Sequence, residues 1–346
     1  MTAPAPRRAR RDLTAVDLKH LQALIGVAER GSFSGAAESI GTVQSNVSAH
    51  VAKLERELDA VLVDRATCRL TEEGQVVVER ARRMLVELEA MVADVMALRQ
   101  EVTGTVRVGM IGTTGRWLVP QLVARLRARH PLVRMTVADG TSTTLEPQLV
   151  QGYLDVAVVT LPVPGDELSA RPLFEEDLVL VVPVGHPLAR RATPRPAPAK
   201  KSGAAEKGKA AGSRTGALPL SALADLELLL PLPGTPARDE IEAAVRPAGI
   251  TLRPSIELDG LRMLASLTFD GYGPAILPAG AVPNHLRDRF SLLPLEGFPR
   301  RHIGVALRRR GLPSAPTKAL IELLYEVVAD PTAVPDGLFA SAVGRR

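Results

Sequence analysis

At 346 residues, 46% of them hydrophobic, the chain can hold two or three domains, each with a substantial core. Its 43 basic and 38 acidic residues leave a net charge of +5, too mild to argue for nucleic acid by itself. A single cysteine, Cys68, excludes an intrachain disulfide. No apolar run approaches the roughly 18 residues that span a bilayer, and no signal-peptide pattern opens the chain. The expected setting is the cytoplasm, with no membrane partner.

Residues 1–16 form a basic arm carrying Arg7, Arg8, Arg10 and Arg11. Such an arm touches phosphates or only solubilises a disordered end. A helix is predicted from Asp17 to Arg30, with Leu18, Leu21, Leu24, Ile25 and Ala28 on one face and Gly31 ending it. Ser32 or Ser34 caps a short helix carrying Ala36, Ala37 and Ile40, which Gly41 closes. In the third helix, up to Leu58, the residues Val47, Val51, Leu54 and Leu58 make an apolar face. Another face presents Gln44, Ser45, Ser48 and Ala52, small or amide-bearing and gathered at the helix start. Small residues allow close approach to a major groove, and an amide can pair with adenine or a phosphate. Spacing alone leaves two readings open: a helix-turn-helix unit, or a three-helix bundle with a solvated third helix.

A short wing, Arg65-Ala66-Thr67-Cys68-Arg69-Leu70, leads to a long helix from Glu72 to about Gln100. Along it Val77, Ala81, Met84, Leu88, Met91, Val95 and Leu98 alternate spacings of 4 and 3, an unbroken heptad seam. So narrow and long a stripe suits a partner helix, and the helix reads as a dimerisation element spanning roughly 40 Å.

After Thr103-Gly104 strands alternate with helices. Strands are expected at Thr105–Ile111, Val133–Ala138, Leu154–Thr160, Leu178–Val184, Leu228–Leu232, Ile256–Leu258, Pro274–Leu277 and Ile303–Leu307, with helices at Arg116–His130 and Thr143–Gln151. The order implies parallel sheet covered on both faces, in two α/β lobes with a cleft between them. Residues 191–216 hold no apolar side chain larger than Ala and read as a disordered insertion. Residues 331–346 read as a loose tail.

Asp17–Gly74 resembles the N-terminal domain of LysR-type transcriptional regulators. The likeness rests on Leu18-Lys19-His20-Leu21, Ala28-Glu29-Arg30-Gly31-Ser32-Phe33-Ser34, Ala36-Ala37-Glu38, Gln44, Ser48, Leu54-Glu55, Glu57-Leu58 and Leu70-Thr71-Glu72-Glu73-Gly74. Ser45 stands where the family usually has Pro, Leu62-Val63 replaces its Leu-Phe pair, and the wing is short. Gly185-His186-Pro187-Leu188-Ala189 and the segment Leu261–Pro278 resemble the family's effector half, so the likeness covers about Asp17–Asp330.

The resemblance implies an α/β protein with an all-α N-terminal part: a winged helix-turn-helix over 17–74, a linker helix over 75–101, and a two-lobed domain over 104–330 like a type 2 periplasmic binding protein. Lobe I is expected at 104–161 and 268–330, lobe II at 162–267. It implies a sequence-specific, nucleoid-associated regulator, dimeric or tetrameric, on double-stranded DNA with dyad symmetry, and RNA polymerase as a partner when activating. Base contacts are assigned to Gln44, Ser45, Asn46 and Ser48, and phosphate contacts to Ser34, His50, Lys53, Arg65 and Arg69. Loops at Gly112–Gly115 and Gly140–Thr143 lie between strand ends and helix starts, where free N–H groups suit a carboxylate or phosphate. The expected effector is therefore a small anionic metabolite held by Thr113, Thr114, Thr141 and Ser142, with Thr235 and Tyr272 beside them. No cofactor or metal is expected. The six histidines are scattered without ligand spacing, and Gly31-Ser32-Phe33-Ser34-Gly35 has Phe where a nucleophile elbow needs Ser, so no enzyme is expected. The competing reading is an architectural or non-specific DNA binder without a ligand.

Overall fold

The computed structural model describes residues 16–190 and 217–341. The basic arm, the insertion at 191–216 and the last five residues lie outside that range. The described chain forms two compact units, one up to Val92 and one built from Ala93–Val150 and Leu154 onward.

The first unit holds α1 (Leu18–Arg30), α2 (Phe33–Ile40), α3 (Gln44–Leu58), the wing strands β1 (Val63–Asp64) and β2 (Arg69–Leu70), and the start of α4 (Glu72–Ala97). Asp17 caps α1 in a capping box, accepting from Lys19 N–H while its own N–H donates to His20 Nδ1. Ser32, not Ser34, caps α2, accepting from Gly35 N–H at 3.1 Å. Gly31 and Gly41 close α1 and α2 at positive φ. Leu21, Leu24, Val27, Phe33, Ala36, Val47, Val51, Leu54, Leu62, Val78 and Ala81 form one core, each larger side chain contributing about 1.5–3 kcal/mol. Leu18 and Ile40, expected on buried faces, are exposed. The buried stripe of α1 is shifted to Ala23, Gly26 and Val27, because a bare Gly26 lets Ala36 of α2 pack close: an added Cβ would lie 3.2 Å from Ala36 Cβ.

The heptad seam of α4 divides. Ala81 is buried in the first unit's core, where Val78 beside the seam also sits, and Val77 is only partly buried against it. Met84, Leu88, Met91 and Val95 remain exposed, and Leu98 lies just past the helix end.

The second unit begins β3 (Gly104–Ile111), α5 (Gly112–Arg129), β4 (Val133–Gly140), α6 (Ser142–Gln151), β5 (Val156–Thr160). It continues through β6 (Leu168–Pro183), β7 (Glu227–Pro231), α7 (Pro236–Val245), β8 (Arg253–Leu258), α8 (Leu261–Phe269), β9 (Ala275–Pro278), β10 (Phe290–Pro294), β11 (Arg300–Arg308), α9 (Ala315–Ala329) and β12 (Leu338–Ala340). Strand order is β4-β3-β5-β11-β6-β9-β7-β8. The pairs among β3, β4 and β5 are parallel, as are β7 with β8 and β9. Strand β6 is shared: its first half pairs antiparallel with β11, and its second half with β9 and β10.

Four expectations are corrected here. The loop foreseen at Gly112–Gly115 is the first turn of α5. The strand foreseen at Leu178–Val184 is the second half of a 16-residue strand, whose first half was hidden by Arg171, Glu175, Glu176 and Asp177. The lobes do not divide at 162 and 268. Strands β9 and β10 still pair with the second half of β6, so the chain returns to the first lobe only at β11. The described part of the segment after Asp330, residues 331–341, is not loose: β12 pairs with β6, and Asp177 N–H donates to Gly337 O at 2.9 Å.

Candidate DNA interface and effector cleft

Gln44, Ser45 and Asn46 stand exposed at the first turn of α3, with Ser48 half-buried behind them. Ser34 donates to Gln44 Oε1 at 3.1 Å, tying α2 to α3 and leaving the amide nitrogen of Gln44 as an outward donor. Asn46 Nδ2 donates to Thr42 Oγ1 at 3.0 Å. The wing is fastened to α3 through Glu55. Its Oε1 accepts from the N–H groups of Leu62 and Val63 at 2.9 and 3.2 Å, and its Oε2 pairs with Arg65 at 2.7 Å. Arg65 also reaches Ser48 Oγ at 3.3 Å and lies over the Phe33 ring. Asp64 closes the wing turn by accepting from Ala66 N–H and Thr67 Oγ1, bonds that hold its carboxyl below the usual range. Lys53 and Arg69 are exposed.

His50, expected at a phosphate, is half-buried. Its ring packs against His20 of α1, centroids 5.3 Å apart. Burial, with the charges of Lys53 and His50, pushes the His20 imidazole below its ordinary 6.5, so it stays neutral and its Nδ1 remains the acceptor that closes the α1 cap.

In the second unit two of the hydroxyls expected to cradle an anion, those of Thr141 and Thr235, serve their own helix starts, and Ser142 ties its helix to β5. Thr141 Oγ1 meets Thr143 and Thr144. Ser142 Oγ accepts from Thr160 N–H at 3.0 Å. Thr235 donates to Leu232 O and accepts from Arg238 N–H, capping α7. Thr113 and Thr114 are buried, and of these threonines and Ser142 only Thr114 Oγ1 is a buried atom without a partner. Tyr272 is 65% exposed.

Instead, the lobes are bridged by two residues that sequence reasoning passed over. Arg262 Nη1 on the first turn of α8 ion-pairs with Asp139 Oδ2 at the end of β4. Gly112 makes room: a Cβ there would lie 2.4 Å from Arg262 Cδ and 2.8 Å from Asp139 Oδ1. The available signal was a cation beside Gly260 in a helix's first turn, where the dipole disfavours it. Arg116 rests its guanidinium over Phe269, 5.7 Å from the ring centroid. Deeper, fully buried Glu176 on β6 accepts from Arg301 Nη1 of β11 at 3.0 Å, and Arg301 Nη2 donates to Thr160 Oγ1 at 3.0 Å. Glu240 of α7 approaches Arg301 Nε at 3.6 Å. Burial pushes both carboxyls upward, against the pull of Arg301. Among the described residues no group of His, Cys, Asp and Glu has metal-binding geometry, and no helix is long and apolar enough to cross a membrane.

Residues 18–75 match the bacterial regulatory helix-turn-helix protein family of lysR type, and residues 99–200 and 209–329 match the LysR substrate binding domain. A "Probable hydrogen peroxide-inducible genes activator" of Streptomyces viridosporus is 30% identical, over 90% of this chain and 95% of its own. A cysteine-to-aspartate variant of full-length OxyR from Pseudomonas aeruginosa has a similar structure, with a TM-score of 0.66 and 24% identity over 90% of this chain and 93% of that one. Full-length CbnR complexed with its target DNA gives a TM-score of 0.60 and 22% identity over 90% and 99%. The ligand-binding half is thus an integral part of the matched architecture, which disfavours a ligand-free architectural DNA binder. The chain belongs to the LysR family of bacterial transcriptional regulators, as a ligand-responsive DNA-binding member.

Proposed function

We propose that the cleft takes a small anionic metabolite whose carboxylate or phosphate replaces Asp139 on Arg262. The observation that carries this is the Arg262–Asp139 contact between lobes, built over the bare Gly112. Arginine offers planar, paired donors to such groups. The contact is exposed and worth little by itself, so an effector of ordinary affinity can displace it. Lobe geometry then changes, and with it the presentation of α3 to DNA. The earlier hydroxyl cradle contracts to Thr114, with Thr113, Thr141, Ser142 and Thr235 shaping the walls.

At the DNA, Gln44, Ser45, Asn46 and Ser48 address base edges, while Ser34, Lys53, Arg65 and Arg69 hold phosphates. His50 supports α3 from behind. The exposed face of α4 (Met84, Leu88, Met91, Val95) pairs two copies, and two α3 helices then read a dyad-related site. A tetramer and contact with RNA polymerase are further parts of this reading, as are a cytoplasmic, nucleoid-associated setting and the absence of any catalytic role.

Several relatives are named for hydrogen peroxide. In this chain residues 99–329 contain no cysteine, since Cys68 of the wing is the single one. The signal is therefore not read by a thiol of the effector half.

The test is fluorescence anisotropy of the full chain on a duplex from its own upstream region, beside a shuffled duplex, with a panel of small carboxylates and phosphates. Tighter binding to the native duplex, shifted by one panel member in wild type and in Cys68→Ser but not in Arg262→Ala, is expected. An unchanged response in Arg262→Ala would move the anion site elsewhere.

A further inference from the structure

Ser34 and Gln44 meet where two helices begin: Ser34 lies in the first turn of α2, and Gln44 is the first residue of α3. A glutamine amide has two unlike ends, an oxygen that accepts and a nitrogen that donates twice. The end turned inward decides what the other end offers to DNA. Here the inward end is the oxygen, which accepts from the Ser34 hydroxyl at 3.1 Å. Electrostatics favour that choice. The positive ends of α2 and α3 both lie at this contact, and they attract an amide oxygen and repel an NH2 group. Ser34 spends its hydroxyl proton in this bond, so it meets a phosphate through its backbone N–H, which as a first-turn group has no partner within its helix. The amide of Asn46 is anchored the other way round. Its Nδ2 donates to Thr42 Oγ1 at 3.0 Å, and its oxygen is the end left over.

The pairing of glutamine with adenine uses both ends of the amide at once, the oxygen accepting from N6–H and the nitrogen donating to N7. With Oε1 turned to Ser34, adenine is left with one bond. Guanine presents two neighbouring acceptors, N7 and O6, to the two N–H groups of Nε2. We propose, resting on the reading that places Gln44 at a base edge, that Ser34 determines specificity: by holding Gln44 Oε1 it makes Gln44 a reader of guanine rather than of adenine. Ser34 acts through Gln44 and is a positioning residue for the base contact.

The experiment is selection by the full chain from random-sequence duplexes, with the bound fraction sequenced, for wild type, Gln44→Ala, Ser34→Ala and Ser34→Thr. The position that loses its preference in Gln44→Ala is the one that Gln44 reads. Expected there is guanine over adenine by at least about fivefold in wild type, a shift toward adenine in Ser34→Ala, and guanine again in Ser34→Thr, which keeps the hydroxyl. A role in structure or phosphate contact alone would weaken every sequence and leave the preference at that position unmoved. Replacing the selected guanine by 7-deazaguanine, which lacks the N7 acceptor, should weaken wild type and leave Gln44→Ala unchanged. Adenine at that position in wild type, or one preference shared by wild type and Ser34→Ala, overturns the role of Ser34 while leaving Gln44 at a base. A selected site in which no position depends on Gln44 overturns the base contact itself, and the role of Ser34 with it.

Discussion

Gly74→Ala separates two physical arguments that predict opposite signs. Gly74 is the third residue of α4. Helix propensity alone says that alanine there stabilises by about 0.8–1 kcal/mol. Packing says the reverse. The new Cβ would lie 2.0 Å from the carbonyl oxygen of Leu62, a backbone atom with no rotamer by which to move away. That carbonyl accepts from Thr71 N–H at 3.0 Å, and the Leu62 side chain is fully buried in the first core. Displacing the strand costs about 1–3 kcal/mol for the overpacked contact and about 1 kcal/mol for the weakened hydrogen bond. After the propensity gain is subtracted, the expected net destabilisation is about 1–3 kcal/mol. Urea unfolding of the full chain followed by far-ultraviolet circular dichroism measures it, as an earlier first transition. The change also reaches the DNA face, because Leu62 N–H and Arg65 share Glu55. DNA affinity should therefore fall along with stability. A variant as stable as wild type, or more so, would refute the packing argument and leave propensity in charge.

Gln44→Ala should weaken the specific duplex by about 1–3 kcal/mol and relax discrimination. Lys53→Ala should weaken all sequences alike and lower the salt slope by about one; identical behaviour of the two variants in anisotropy titrations would undo the division into base and phosphate contacts. For His20, burial lowers the folded-state pKa below 6.5, so its contribution to stability is complete above that value and is lost as pH falls toward the folded pKa. His20→Gln should lose less stability than wild type between about pH 7.5 and about pH 5.5, read from unfolding midpoints at each pH. Met91→Lys with Val95→Lys should turn the chain monomeric in sedimentation velocity while leaving its circular dichroism spectrum intact, and an unchanged oligomer would exclude the α4 face as the pairing surface.

The helical half was legible because its signals are local. Asp17, Gly31, Ser32 and Gly41 act within a few residues of where they stand, and the apolar periods of α1 and α3 mark the faces that bury Leu24, Val47, Val51 and Leu54. What periodicity did not reach were features fixed by partners far along the chain. The seam of α4 reads as uniform, yet Ala81 is claimed by the domain core while Met84, Leu88, Met91 and Val95 stay outside it. His50 sits on the polar side of α3 by spacing and is turned onto His20, a residue 30 positions earlier. In the second unit the alternation of strands and helices gave β3 to β5 correctly, but the lobe boundary depends on which strands pair with each half of β6, and pairing leaves no periodic trace.

Three residues held by distant partners share one property: each looks wrong by a local rule. Gly74 interrupts a helix, Arg262 puts a cation at a helix start, and Glu176 puts a carboxylate inside a strand that would otherwise be apolar throughout its centre. Local preference counts against all three. Each is compensated by something distant: the carbonyl of Leu62, the carboxylate of Asp139, and the guanidinium of Arg301. Consistency across levels is the ordinary condition of a folded chain, and departures gather where structure is traded for function. Arg262 pairs across the lobes with Asp139, whereas Glu176 pairs with Arg301 inside the first lobe. The third secures the wing on which the DNA-reading helix depends. Locally unfavourable residues that acquire long-range partners on folding therefore mark constraints of this regulator that helix and strand periods do not carry.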